Sequence, residues 1–155
     1  MFLDPNGLEI LPPAACRDLM ATREIGRLGF VDGDQVSVLP VNYAIFDGQV
    51  LIRTVSGSKL AAAAAERAGA LEIDDIDPRR HTGWSVLVRG QMSLVVDPDE
   101  ISRIDEAGLH TWGPVGNNYV RLPMDDLTGR VRRSGPLRSN RPSPEAALRD
   151  LETTD

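Results

Sequence analysis

The chain has 155 residues, of which 41% are hydrophobic and 26% charged, a composition typical of one soluble domain with its own core. A formal net charge of −6 argues against a duplex nucleic-acid partner, since such proteins usually carry a basic face. The single cysteine, Cys16, excludes an internal disulfide and a zinc site built from several thiolates.

The first elements predicted are an irregular lead-in over residues 1–11 and a short helix over 14–22, with Leu19 and Met20 facing inward. Strand candidates with period-2 patterning follow. In chain order they are residues 26–31, 36–46, 49–55, 69–74, 83–96 and 119–122, the last with a continuation at 128–132.

The connections between these strands are short and decide the fold class. Asp47-Gly48 is a strong hairpin signal, and Gly33 suits the turn before the second strand. They predict an antiparallel meander and exclude a doubly wound parallel sheet. Gly90 predicts a bend in the long fifth strand, and Asp97 caps a helix that ends near Ala107. The expected fold is α+β and mainly antiparallel, a small barrel with short flanking helices.

Residues 53–59 (RTVSGSK) contain the most suggestive chemistry. They join a strand to an alanine-rich helix predicted over 58–67, and Lys59 is the only lysine beside sixteen arginines. A strand, a Gly/Ser-rich turn and a helix start can bind phosphate through free N–H groups and the helix dipole. The alternative is an ordinary capped helix, with Ser56 or Ser58 as N-cap and Lys59 as a surface charge.

Other residues support weaker hypotheses. Pro40 marks a strand edge that is either purely structural or open to a flat ligand. The acidic run Glu72, Asp74, Asp75 and Asp77 lacks the pattern of a calcium loop and is interpreted as a solvated strand end. No metal site and no machinery for nucleophilic hydrolysis is predicted. Trp84 and Trp112 are either core residues or stacking platforms for a ligand ring.

Several motifs in fixed order resemble one family, the pyridoxamine 5′-phosphate oxidase-like FMN-binding split barrels, and in particular their actinobacterial flavin-nucleotide-binding branch. The resemblance covers residues 11–132. The motifs are Gly26-Arg27-Leu28-Gly29, Pro40-Val41-Asn42-Tyr43, Asp47-Gly48, Arg53-Thr54 with Gly57-Ser58-Lys59, Asp74-Asp75 and Gly83-Trp84-Ser85-Val86 with Val88 and Gly90.

The resemblance implies a six-stranded split β-barrel and a homodimer with FMN at the subunit interface. Arg53, Ser58 and Lys59 would bind the phosphate, and Thr54 would assist through its hydroxyl or backbone. The isoalloxazine would be bordered by Val38, Leu39, Pro40, Val41 and Asn42, and would be contacted from the next long strand by Trp84 and Ser85. Trp112, Asn117 and Arg121 are candidates for the partner chain's contribution.

The expected function is that of an FMN-binding flavoprotein, a flavin-dependent oxidoreductase of an unidentified small molecule. The C-terminal Trp and Arg segment of true pyridoxamine-phosphate oxidases is not recognisable, so vitamin B6 oxidation is not implied. Alternatives are an F420- or haem-binding barrel, with His81 or His110 as haem ligand, and a non-catalytic flavin carrier or redox sensor.

The expected organisation is a binding domain over residues 1–133 and a polar, disordered tail over 134–155. The chain shows no signal peptide and no apolar run of the roughly 20 residues that span a bilayer, so we expect a cytoplasmic protein without a membrane or nucleic-acid partner.

Overall fold

The computed structural model describes residues 1–55, 57, 61–63, 65–108 and 118–134. Within these ranges ten strands and two longer helices are present. The strands are β1 (Glu9–Leu11), β2 (Ile25–Asp32), β3 (Gln35–Asn42), β4 (Ala44–Phe46), β5 (Gln49–Thr54), β6 (Ala68–Asp77), β7 (Thr82–Gln91), β8 (Ser93–Leu94), β9 (Asn118–Pro123) and β10 (Asp126–Arg132). The helices are α1 (Pro13–Met20) and α2 (Pro98–Ala107).

The strands form two antiparallel sheets. One has six strands in the order β1-β10-β7-β6-β2-β3, and the other has four in the order β4-β5-β9-β8. The sheets share an apolar core to which both contribute, including Leu28, Ile52, Val88 and Leu122. Because the sheets do not close on each other, the molecule is a split β-barrel, and the predicted fold class is confirmed.

The strand number is larger than the six predicted because the chain changes sheets inside segments that look continuous in sequence. The 36–46 segment breaks at Tyr43, whose N–H donates to the Glu24 carbonyl and whose hydroxyl donates to the Met20 carbonyl. The 83–96 segment breaks at Met92, whose N–H donates to the Arg67 carbonyl. The bend therefore lies two residues after Gly90, at a buried methionine.

The last predicted strand and its continuation also belong to different sheets, as β9 and β10. The lead-in is not irregular throughout, because β1 pairs with β10. Asp4 stabilises the preceding loop by accepting from the N–H groups of Asn6 and Leu8 and by pairing with Arg130 at 3.1 Å.

The local turn predictions are confirmed. Asp47 and Gly48 have φ values of 50° and 70°, as a two-residue hairpin turn with both central residues left-handed requires. Asp97 caps α2 by accepting from the Asp99 N–H at 3.1 Å. Of the helix predicted over 58–67, residues 61–63 are helical and residues 58–60 and 64 lie outside the described residues. Residues 65–67 are not helical, so the prediction runs too far at that end.

The two helices cover different parts of the barrel. Helix α1 buries Cys16 and Met20 against the shared core, at a point where Gly129 of β10 makes room. A Cβ at Gly129 would lie 2.5 Å from the Cys16 Sγ. Helix α2 covers the outer face of the four-stranded sheet and forms a second core with Leu51, Val95, Ile104 and Tyr119. In the described part of the chain, neither helix is long and apolar enough to cross a bilayer.

Candidate functional site

Two strand edges face each other where the barrel is split. β3 is the outermost strand of its sheet, and β4 pairs with β5 only from Gln49 to Leu51. If that register continued, Asn42 would lie opposite Arg53. Instead, β3 and β5 belong to different sheets at this point, although they still approach each other. We call the region bordered by residues 40–42 and 52–54 the split.

The β3 border of the split is an exposed apolar edge. Pro40 lies opposite Arg27 of β2, and no strand pairs with β3 on its other side, so the sequence-based interpretation of Pro40 as an edge residue is confirmed for the described strands. Val41 points into the core, whereas Val36 and Val38 are 76% and 64% exposed. The edge therefore offers backbone groups and apolar side chains to whatever occupies the neighbouring space.

The β5 border presents Arg53 and Thr54 on opposite faces, as alternation along a strand requires. Thr54 is 7% exposed, and its hydroxyl donates to the Val55 carbonyl at 3.0 Å. That proton is committed within the chain, so the group that Thr54 can best offer a ligand is its backbone. Arg53 lies on the face covered by α2.

The guanidinium of Arg53 lies over an aromatic ring, with its Cζ 5.7 Å from the centroid of Tyr119. Tyr119 is directly opposite Arg53 in the β5–β9 pairing and is 1% exposed. Its hydroxyl donates to the carboxylate of Asp105 in α2. Burial is the larger cause, and this hydrogen bond the second, of a pKa of Tyr119 that is raised to about 12. A cation, an aromatic ring and a carboxylate are therefore linked at Arg53, on the β9 side of β5.

Helix α2 makes a second polar contact with the same sheet. Arg121 of β9 pairs with Glu100 at 2.7 Å, and both side chains are largely buried. Arg121 was a candidate for completing the site of a partner chain, but in this protomer its guanidinium is directed at α2. Such a position favours a role in holding α2 on the sheet.

Trp84 and Ser85 do not join the split within one protomer. They lie on β7, which β6 and β2 separate from β3, a distance of about 14 Å over three strand spacings. Trp84 packs partly against the core, and the guanidinium of Arg23 lies 5.6 Å from its ring centroid. Ser85 faces the opposite side of the sheet, across from Asp74.

Other candidate residues lie outside the described part of the chain. These are Ser56, Ser58, Lys59, His110, Trp112 and Asn117, together with all of the predicted tail except Ser134. His81 is described, in the exposed turn between β6 and β7 with a φ of 53°. It does not border the split.

The acidic run on β6 is paired with arginines of neighbouring elements. Arg27 lies 3.4 Å from both Glu72 and Asp74, and Arg23 pairs with Asp75. Burial and the neighbouring Asp74 raise the pKa of Glu72 despite Arg27. Among the described residues no group of three or more acidic, histidine or cysteine side chains is placed to hold a metal ion.

Sequence reasoning missed Tyr119 and Asp105 as functional candidates. The strand containing Tyr119 and the helix containing Asp105 were both predicted. Their approach to Arg53 depends on the β5–β9 register and on which sheet face α2 covers, and neither can be read from local patterning.

Comparison with known proteins gives consistent matches. The profile of the family described as pyridoxamine 5′-phosphate oxidase matches residues 12–131. An uncharacterized protein of Mycobacterium tuberculosis, Rv0080, is 38% identical over 114 residues, which is 70% of each chain.

Solved structures give the same result. The FAD-binding protein of Mycobacterium smegmatis is 32% identical with a TM-score of 0.66, over 81% of this chain and 100% of that one. A protein of unknown function from Corynebacterium diphtheriae is 26% identical with a TM-score of 0.69, over 84% of this chain and 100% of that one.

Proposed function

Because the chain belongs to the pyridoxamine 5′-phosphate oxidase family, we propose that it binds a flavin, FMN, in the split and acts as a flavin-dependent oxidoreductase on a small molecule. The observation that carries the proposal is Arg53, an arginine held beside two open strand edges. The FAD-binding relative from M. smegmatis supports a flavin as the ligand class.

The residues on the β5 side fit a phosphate group. A guanidinium offers planar, paired N–H donors that match phosphate oxygens and keeps its charge at any physiological pH. Arg53 would provide this contact, with the backbone at Thr54 beside it. Ser58 and Lys59 follow within six residues and would complete the clamp.

The residues on the β3 side fit a flat ring system. The backbone at residues 38–42 runs along the sheet edge, and Pro40 contributes a carbonyl without a competing N–H. Apolar side chains beside that edge would exclude water from the ring. The bound flavin would supply hydride transfer, while the chain's own residues bind it, orient it and keep solvent away.

The closest related cofactor is FAD, which shares the isoalloxazine and carries a second phosphate and an adenosine. An arginine beside an open split can bind a phosphate of either molecule. The first binding experiment therefore measures the affinities for both FMN and FAD.

We also propose that a second copy of the chain covers the β3 edge. Exposed edges with apolar side chains are sites at which sheets associate, and Val36 and Val38 leave such a strip uncovered in the protomer. In such a homodimer, Trp84 and Ser85 could reach the flavin of the other protomer. That arrangement would reconcile their family-based assignment with their distance from β3.

The test is a titration of the apo protein with FMN, FAD, riboflavin, F420 and haem, followed by absorbance and flavin fluorescence. We expect saturable FMN binding that is tighter than riboflavin binding. Steady-state assays with a reductant and an electron acceptor then separate an oxidoreductase, which turns over, from a carrier, which only binds. Uptake of F420 or haem without any flavin would contradict the proposed function.

A further inference from the structure

Tyr119 is a buried core residue that also makes two polar contacts, with Arg53 and with Asp105. The Arg53 guanidinium lies over its ring, and its hydroxyl donates to the Asp105 carboxylate, so that it connects β5, β9 and α2. If the phosphate is bound as proposed above, Arg53 must be held where it can meet it. We propose that Tyr119 is a positioning residue that holds the Arg53 side chain for an anionic phosphate, and that Asp105 fixes the Tyr119 ring.

The ring is rigid where the arginine is not. Tyr119 is 1% exposed and packs with Leu51, Val95 and Ile104 under α2, so its orientation is determined by the core. Arg53 is only partly buried and has a long side chain whose rotamers cost free energy to restrict. A cation attracted to a fixed aromatic face loses part of that freedom before any ligand arrives.

Asp105 adds to this effect in two ways. The hydrogen bond from the Tyr119 hydroxyl to a carboxylate prevents the ring from changing position. It also places negative charge at the far end of the phenol, which makes the ring face more attractive to a cation. Asp105 is itself held in place by α2, which is capped at Asp97 and anchored by the buried Ile104.

The contact with the Tyr119 ring does not itself use the N–H donors of Arg53. A cation–π contact uses the face of the guanidinium, whereas its N–H donors lie along the edges of the plane. A phosphate therefore meets donors that are already oriented, and binding costs less conformational entropy. Riboflavin gains nothing from this because it has no phosphate.

The experiment measures dissociation constants for FMN and riboflavin in the full chain and in three variants, Tyr119→Leu, Tyr119→Phe and Tyr43→Phe. The readout is the ratio of the riboflavin constant to the FMN constant. Tyr43→Phe is the matched control, because Tyr43 is also a buried tyrosine whose hydroxyl makes one internal hydrogen bond, to the Met20 carbonyl. Thermal unfolding of each variant is recorded alongside.

We expect the ratio to fall about tenfold in Tyr119→Leu, which removes the aromatic ring. It should fall about threefold in Tyr119→Phe, which keeps the ring but removes the hydrogen bond to Asp105. Tyr43→Phe should lower thermal stability and leave the ratio unchanged. Suppose that the wild-type protein binds FMN more tightly than riboflavin. If the Tyr119 variants then keep the wild-type ratio, or if Tyr43→Phe lowers the ratio equally, the positioning role is wrong and the phosphate clamp stands. If wild type binds both flavins equally, the clamp and the positioning role are both wrong.

Discussion

Arg53 lies where the end of β5, the neighbouring strand β9 and helix α2 meet. Its side chain is on the face that α2 covers, and its cross-strand neighbour is the buried Tyr119. Its contact with a buried ring differs in kind from the exposed arginine–carboxylate pairs of the surface, such as Arg89 with Asp126. Exposed pairs of that kind contribute little to stability or binding.

Replacing Arg53 by alanine should weaken FMN binding by about 1.5–3 kcal/mol, the usual value of a charge-assisted hydrogen bond. Riboflavin binding should hardly change, since it lacks the phosphate. Isothermal titration with both ligands measures the difference. Arg89→Ala, on β7 away from the split, is the control and should affect neither ligand. Equal losses for FMN and riboflavin would exclude a phosphate contact at Arg53.

At the scale of elements, each longer helix is tied to the barrel by a tyrosine. Tyr43 donates to the last residue of α1, the carbonyl of Met20, and Tyr119 donates to Asp105 near the end of α2. Burial raises the pKa of both phenols to about 12. These two are the only tyrosines of the chain, so its phenol titration reports on both helix contacts.

The raised pKa values predict the alkaline limit of the fold. A phenol that ionises near pH 10 when unfolded and near 12 when folded stabilises the native state fully below pH 10. That contribution is lost as the pH rises from 10 towards 12. We therefore expect no tyrosinate absorbance near pH 10 in the native protein, and then a cooperative rise that coincides with loss of circular dichroism. A smooth titration centred near pH 10 would contradict the burial of both hydroxyls.

The elements that sequence predicts well are those decided by neighbouring residues. The Asp47-Gly48 turn and the Asp97 cap follow from side chains acting within a few positions. The breaks at Tyr43 and Met92 do not, because each depends on a carbonyl far along the chain, at Glu24 and Arg67 respectively. Both residues have strand propensity or are apolar, so local patterning continues through them.

At the scale of the whole molecule, two open sheets share one core and leave the β3 edge uncovered. The split itself was predicted only through the family resemblance, since patterning favours any small barrel of antiparallel strands. The position of residues 53–59 after β5 was available from sequence. The 14 Å or so between β3 and the Trp84–Ser85 pair was not, because strand order in the sheet is a property of the folded chain.

Val36→Lys should dissociate the proposed homodimer, because it places a charge on the β3 edge that the second copy would cover. Val36 is 76% exposed, so the protomer itself should fold normally. Light scattering after size-exclusion chromatography gives the mass, expected to be twice that of the chain in wild type and equal to it in the variant. Val96→Lys, at a valine 77% exposed outside β3, serves as the control and should remain dimeric. A wild-type protein of single-chain mass would contradict the dimer directly.

The contact between Gly129 and Cys16 makes the exposure of a buried thiol a measure of how often α1 separates from the sheet. The thiol lies directly beneath β10, in space that exists because position 129 has no side chain, and burial raises the pKa of the Cys16 thiol. An alkylating reagent needs both access and a thiolate, so it can react only while α1 is lifted from the sheet. Since the chain has no other cysteine, its rate of alkylation counts those openings without any introduced label.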